Sequence, residues 1–174
     1  MEFRRALGRS PLAVLSMAPM GVLSRTRQHL KQRVSACANL DVRSLCYDAR
    51  VLDLIEAARN EGRMTVLATG AAQSTADRVA QHLGSFSLVL ASTSAVNLVA
   101  RNKAQALVDR FGSGGFDYAG NSRADLEVWP HCRRAIVVNA SPAVLASART
   151  MAEVALVLPA VALHGARHKP GGWL

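Results

Sequence analysis

From residue 48 onward, the apolar positions switch repeatedly between helical spacing and short runs rich in β-forming residues. Helical spacing predicts helices over residues 48–59, 74–83, 101–111 and 142–153, with Gly62, Gly84 and Gly112 just after the first three. Short apolar runs predict strands at residues 64–68, 88–91, 116–119 and 135–138. Strands that alternate with helices of about ten residues are typical of a doubly wound parallel sheet, so we predict the α/β class.

The two ends of the chain follow different patterns from this core. Residues 2–35 have a helical pattern broken at Pro11 and around Pro19, and the residues after His164 have no regular pattern. We therefore predict a helical N-terminal unit over residues 1–50, an α/β core over 51–160 and a loose tail over 161–174. The run Val154–Leu158 is apolar and has the length of a strand.

Charge is concentrated near the N-terminus. The chain has 21 Lys and Arg against 12 Asp and Glu, a net charge of +9, and residues 1–50 hold nine of the basic and three of the acidic residues. This region has no interleaved aromatic residues for stacking on bases, so we predict no nucleic-acid partner. A solvated face, or one that contacts anionic lipid headgroups, is the expected role. The apolar run over residues 11–23 is shorter than the about 20 residues that a membrane-spanning helix needs.

The sequence gives little support to disulfide, zinc or dinucleotide sites. Cys37, Cys46 and Cys132 are odd in number and widely spaced, which predicts reduced thiols in a cytoplasmic protein. The histidines lack partners at metal-ligand spacing. The loop after the first core strand reads TGAAQSTA rather than G-x-G-x-x-G, which argues against a nicotinamide cofactor.

Small or polar residues stand where the predicted strands end. The carboxyl ends of parallel strands meet at one edge of a sheet, where ligands bind, so these residues are expected to converge. They are Thr69-Gly70, Ser92-Thr93, Gly120-Asn121-Ser122 and Asn139. Thr69 could contact a phosphoryl oxygen or simply end its strand, and Lys103 could neutralise phosphoryl charge or lie at the surface. Asn121 and Asp125 could hold Mg²⁺, or act as a turn former and a helix-capping acid.

Three segments carry a family resemblance: VLATG (66–70), NLVARNKAQALV (97–108) and FDYAGNSRADLEVW (116–129). Together they resemble the haloacid dehalogenase (HAD) superfamily of aspartate-nucleophile phosphatases. More narrowly, residues 2–155 are similar to the HAD-like domain that precedes UbiA-type membrane prenyltransferases in bacterial fusion proteins. The resemblance implies a HAD-like, Rossmann-type parallel sheet with an N-terminal helical cap remnant.

The resemblance also implies roles for individual residues. Thr69 and Lys103 match the second and third family motifs, which make Thr69 a phosphate contact and Lys103 a charge stabiliser. Gly70 and Ser92 complete the predicted phosphate-binding set. Asn121 and Asp125 match the fourth motif, which holds Mg²⁺. The implied substrate is a phosphorylated small molecule or a prenyl phosphate.

One family motif has no counterpart in this chain. Family phosphatases begin with a strand that carries D-x-D-G-T and is central in the sheet, and the chain contains no D-x-D. We therefore expect a domain truncated before that motif, lacking its central strand and impaired in catalysis. An open sheet edge would then favour a homodimer or insertion of Val154–Leu158 into the gap. The alternative is a non-catalytic interaction or regulatory module at the cytoplasmic face of the membrane.

Overall fold

A computed structural model of the chain describes residues 41–160 and the backbone of Leu12–Val14. The described part forms one parallel sheet of six strands in the order β3-β2-β1-β4-β5-β6. The strands are β1 (Leu12–Val14), β2 (Thr65–Ala72), β3 (Leu88–Ser92), β4 (Asp117–Gly120), β5 (Arg134–Val138) and β6 (Val154–Leu158). The helices are α1 (Ala49–Asn60), α2 (Gln73–Leu83), α3 (Arg101–Phe111) and α4 (Pro142–Met151). The predicted α/β class is confirmed.

Local sequence explains where the helices begin and end. The side chain of Asp48 accepts a hydrogen bond from the Arg50 N–H and so caps α1. Ser141 caps α4 in the same way, and Pro142 occupies the first turn, where its missing N–H costs nothing. Gly84 ends α2 in the left-handed conformation, with φ of +62°.

The sheet is covered on both faces, and the alternation of side chains along each strand decides which helix they meet. On one face, α3 and α4 pack against a buried cluster that includes Val66, Tyr118 and Val137. On the other face, α1 packs on Ala119 and Ile136, while α2 packs on Leu67. Neighbouring residues of one strand thus point to opposite layers, as a doubly wound sheet requires.

The N-terminal segment corrects the sequence-based expectation of a missing central strand. Leu12–Val14 is a strand, not part of a helix, and it pairs in parallel with β2 on one side and β4 on the other. A short apolar run of this length has no measurable periodicity, so helix and strand cannot be distinguished from it. Of the cap remnant predicted over residues 1–50, residues 41–50 contain the 3₁₀ helix Val42–Ser44 and the start of α1, whereas the rest apart from β1 lies outside the described residues, as does the predicted tail over 161–174.

The C-terminal strand also differs from the expectation. Val154–Leu158 does form a strand, but it pairs with β5 at the edge of the sheet and leaves the central position to β1. After Asn121 the chain forms two short 3₁₀ helices, Arg123–Glu127 and Trp129–His131. Within the described residues, no helix is long and apolar enough to cross a membrane.

A buried ionic cluster closes the amino-terminal edge of the sheet. The Asp117 carboxylate accepts hydrogen bonds from Arg63 Nη2 at 2.6 Å and from Arg133 Nε and Nη2 at 2.9 and 2.8 Å. The side chains of Arg63 and Asp117 are 2% and 0% exposed. This cluster joins the residues before β2 to the first residue of β4, and it lies at the opposite edge of the sheet from Thr69 and Asn121.

A second ionic cluster ties the start of α1 to the ends of β5 and β6. The Asp48 carboxylate accepts hydrogen bonds from the Arg50 guanidinium and from the Asn139 amide, and Arg50 Nη1 donates to the Pro159 carbonyl at 2.8 Å. The hydrogen bonds from the Arg50 side chain, more than any other cause, hold the pKa of the Asp48 carboxyl well below its usual range.

This cluster predicts an acid-dependent loss of stability. A carboxyl whose pKa is lower in the folded chain binds fewer protons there than in the unfolded chain, whose value is about 3.9. The free energy of unfolding should therefore decrease as the pH falls below about 4, and Asp48→Asn should flatten that decrease. Urea titrations at a series of acidic pH values would measure the slope. Asp53→Asn, at an exposed position of the same helix, is the control and should leave the slope unchanged.

Candidate functional site

The register of the sheet places the predicted site residues around the carboxyl end of β1. Val14 pairs with Leu67 of β2 and with Ala119 of β4. Thr69 comes two positions after Leu67 on β2, and Asn121 comes two positions after Ala119, just past the end of β4. The two residues therefore lie on either side of the position where β1 ends. With neighbouring strands about 4.8 Å apart, roughly 10 Å separates the two flanking strands. The sheet therefore brings Thr69 and Asn121 to the same end of the strands, on either side of β1.

Lys103, Tyr118 and Asp125 form a buried polar cluster beside this position. Lys103 Nζ lies 3.2 Å from the Tyr118 hydroxyl and 3.6 Å from Asp125 Oδ1, and the Tyr118 hydroxyl donates to the same oxygen at 2.7 Å. The side chains of Lys103 and Asp125 are 2% and 0% exposed. Burial lowers the pKa of Lys103 despite the Asp125 charge, and burial raises the pKa of Tyr118 well above its usual value.

The Asp125 carboxylate has partners on both oxygens. Oδ2 accepts hydrogen bonds from the N–H groups of Asn121 and Ser122, at 3.0 and 2.9 Å, and from the Ser122 hydroxyl at 2.8 Å. Ser122 and Asp125 thereby make a capping box at the start of the 3₁₀ helix Arg123–Glu127. A Cβ on Gly120 would come within 2.8 Å of the Asp125 Cβ, so a glycine is needed for this close approach.

These contacts decide how well the described residues suit Mg²⁺. The ion prefers several hard oxygen donors, but both Asp125 oxygens already accept hydrogen bonds and an ammonium group lies beside one of them. Among residues 41–160, no three His, Cys, Asp or Glu side chains come together as a metal site. Asn121 and Asp125 are adjacent, as predicted, but they do not make a Mg²⁺ donor set by themselves.

The predicted phosphate contacts on β2 and β3 also have internal partners. Thr69 is buried, and its hydroxyl oxygen accepts a hydrogen bond from the Ala71 N–H at 3.1 Å. The Ser92 hydroxyl donates to the Gly70 carbonyl at 3.0 Å and accepts from the Leu98 N–H at 2.9 Å, which holds the loop after β3 against β2. A Cβ on Gly70 would lie 2.8 Å from Val99, so that loop packs directly on the glycine. Phosphate binding by these residues stays a prediction.

The loop enters α3 through a strained residue. Ala100 has φ of +48° and ψ of −119°, a conformation that glycine adopts far more readily than alanine. It stands three residues before Lys103 and directly after Val99, so the strain lies between the Gly70 contact and the buried lysine. Strain of this kind costs about 1–3 kcal/mol and persists where the surrounding structure imposes it.

Ala100→Gly should therefore raise the free energy of unfolding by about 0.5–1 kcal/mol, because the relief of strain exceeds the entropy that glycine adds to the unfolded chain. Ala106→Gly, inside α3, provides a control of opposite sign and should lower that free energy by about 0.5–1 kcal/mol. Urea unfolding of the three proteins gives the comparison. A loss of stability in both variants would show that Ala100 is not strained.

Comparisons with known proteins identify the fold. No protein-family model matches the chain. A structure from Salmonella enterica serovar Typhi, described as a HAD family hydrolase, superposes with a TM-score of 0.58 at 14% identity, covering 88% of this chain and 68% of that one. A Vibrio cholerae structure, described as a probable phosphoserine phosphatase, gives 0.56 at 13% identity, covering 81% and 61%. The chain has a HAD-like fold.

A sequence relative of this HAD-like chain is an uncharacterized protein of Sinorhizobium fredii. It is 40% identical over 112 residues, which are 64% of this chain and 22% of the relative. The HAD-like chain thus spans less than a quarter of the curated relative that it matches.

Sequence reasoning missed Tyr118, Arg63 and Asp117. Tyr118 and Asp117 stand in a strand where the expected residues are apolar, and a tyrosine or an acid at a fully buried strand position needs a hydrogen-bond partner. That is the signal that the sequence offered. The partners lie on other elements, between 7 and 54 positions away, so the sequence could not name them.

Proposed function

We propose that this chain is a phosphatase-type HAD-like domain that has lost covalent phosphoryl transfer. The observation that carries the proposal is the sequence after the central strand. β1 ends at Val14, and Leu15-Ser16-Met17 follow, where the resembled family has D-x-D. No Asp or Glu occurs in residues 15–40. An aspartate nucleophile forms the phosphoenzyme intermediate of that family, and the sequence that follows β1 up to residue 40 contains no carboxylate to take that role.

The buried polar cluster supports the same proposal. Lys103 and Asp125 satisfy each other and Tyr118, so they hold α3 to β4 whether or not a substrate is present. A lysine in this position can stabilise the charge of a phosphoryl group, but it cannot replace the attacking carboxylate. The remaining function is binding of an anionic ligand, a phosphorylated small molecule or a prenyl phosphate, between Thr69 and Asn121. Any Mg²⁺ there would need oxygen donors besides those of Asn121 and Asp125.

The proposed setting is that of a domain associated with UbiA-type prenyltransferases. Two observations support it. Residues 2–155 resemble such domains, and the relative that is 40% identical is a much longer protein, of which the matched residues make up only 22%. An interaction or regulatory module at the inner face of the membrane is the second candidate. The charge of residues 1–50, nine basic against three acidic, favours it because that face is anionic.

An assay of phosphate release tests the loss of catalysis. With Mg²⁺ and an aryl phosphate, the chain should release no more phosphate than buffer does. Mg²⁺-dependent turnover that Thr69→Val removes would overturn the proposal. The variant Leu15→Asp with Met17→Asp restores a D-x-D after β1, and turnover by this variant alone would assign the loss to those two positions.

Sedimentation with lipid vesicles tests the membrane candidate. The chain should co-sediment with vesicles of anionic lipid and not with neutral ones, and about 1 M salt should release it because the Debye length there is about 3 Å. Equal binding to both kinds of vesicle would exclude an electrostatic surface contact.

A further inference from the structure

The centre of the sheet depends on a very short strand. β1 has three residues, whereas the strands on either side of it, β2 and β4, have eight and four. β1 pairs with β2 on one side and with β4 on the other, and β2 and β4 do not pair with each other. Removing β1 would therefore leave a slot between β2 and β4 that is one strand wide.

The walls of this slot are joined by contacts that do not involve β1. Where the strands begin, Arg63, two residues before β2, forms a buried ion pair at 2.6 Å with Asp117, the first residue of β4. On one face, Leu107 of α3 belongs to the buried cluster that contains Val66 of β2 and Tyr118 of β4. On the other face, α1 packs on Ala119 and also contacts β2. The slot can therefore persist while β1 is out of it.

The strand that fills this slot is connected to the rest of the core by a long stretch of chain. Residues 15–40 join Val14 to Asp41. At about 3.3 Å per residue, a connection of this length can reach several tens of ångströms, far enough to reach the slot of a neighbouring copy.

We propose that Leu12–Val14 is an exchangeable strand, and that two copies of this chain form a dimer by each docking its β1 in the slot of the other. The second copy is the partner that fits, because its strand has the same register against β2 and β4 and makes the same pairs. Exchange of an identical element loses no contact and costs only the entropy of association. Each site between Thr69 and Asn121 is then completed by the strand of the other copy.

Competition with a peptide tests this exchange in the wild-type chain. Sedimentation would be measured from about 10 μM to about 1 mM, where a second copy can compete with the chain's own strand for the slot. A dimer should form as the concentration rises. An excess of a peptide with the sequence of residues 8–17 should return it to monomer, because the peptide occupies the slots, while a scrambled peptide should not.

Two full-length variants provide the matched controls. Ala13→Pro removes a backbone donor from the central strand and should abolish the dimer, whereas Ala160→Pro places the same residue outside the sheet and should leave it intact. In Ala13→Pro, the peptide should increase the hydrogen-exchange protection of β2 and β4 by about tenfold or more without changing that of α4.

A chain that stays monomeric throughout this concentration range would overturn the proposal, even if the peptide protects Ala13→Pro. So would a dimer that the peptide leaves intact, since its interface would then lie elsewhere. If Ala13→Pro does not fold, shown by loss of protection in α4 as well, the peptide competition in the wild-type chain decides the question alone.

Discussion

Asp125→Ala should lower the free energy of unfolding by about 3–5 kcal/mol, because it leaves the buried Lys103 ammonium without its carboxylate. The substitution also removes the acceptor of the Tyr118 hydroxyl, of the Ser122 hydroxyl and of two backbone N–H groups. Lys103→Met should cost less, because Asp125 keeps all four of those donors. Urea unfolding of the two single variants and the double variant gives the coupling energy.

The double variant tests whether the contributions of Lys103 and Asp125 to stability are coupled or independent. If Lys103 and Asp125 depend on each other, the double variant is more stable than the sum of the two single losses predicts. Asp53→Ala, at an exposed position, should change the free energy of unfolding by no more than about 0.5 kcal/mol. Strict additivity of the two losses would contradict a coupled buried pair. The expected loss in Asp125→Ala also means that its activity alone says nothing about metal binding.

Asp117→Ala should have an effect of similar size at the other edge of the sheet. It removes the carboxylate on which Arg63 and Arg133 converge, and the Arg63 side chain is only 2% exposed. We expect a loss of about 3–5 kcal/mol, measured by urea unfolding. Asp117→Asn keeps the shape and part of the hydrogen bonding, so its loss should lie between those of the wild type and Asp117→Ala.

The control for this substitution is Asp109→Ala, at an exposed position of α3. Its carboxylate accepts a hydrogen bond from Gln105 on the same helix, a contact worth only about 0.2–0.5 kcal/mol. If Asp117→Ala costs no more than this control, the convergence of two arginines on Asp117 does not stabilise the fold.

The alternating helices and strands after residue 48 could be predicted from the sequence because their apolar residues recur with a clear period. Helices such as α1 and α3 have both a periodic apolar face and an end signal, and the strands between them are short apolar runs of the expected length. β1 could not be predicted in this way. Its three residues lie within a longer apolar run, and only pairing with residues more than 50 positions away makes them a strand.

The candidate site was predictable as a location but not as a set of contacts. Strand ends converge in any parallel sheet, so the positions of Thr69 and Asn121 follow from the alternation alone. Whether Ser92 faces a ligand or holds a loop depends on the Gly70 carbonyl and the Leu98 N–H, which other elements supply. The same holds for Asp125, whose partners come from α3, β4 and the turn after β4.

The place of β1 between β2 and β4 has a consequence for the order in which the chain folds. During synthesis, Leu12–Val14 leaves the ribosome well before its partners on either side, residues 65–67 and 117–119. Contacts this distant in sequence close slowly, because the entropy of the loop is lost before they form. The pair β2 and β3, which is close in sequence, can form early. β1 therefore waits until β4 has been made before it is paired on both sides.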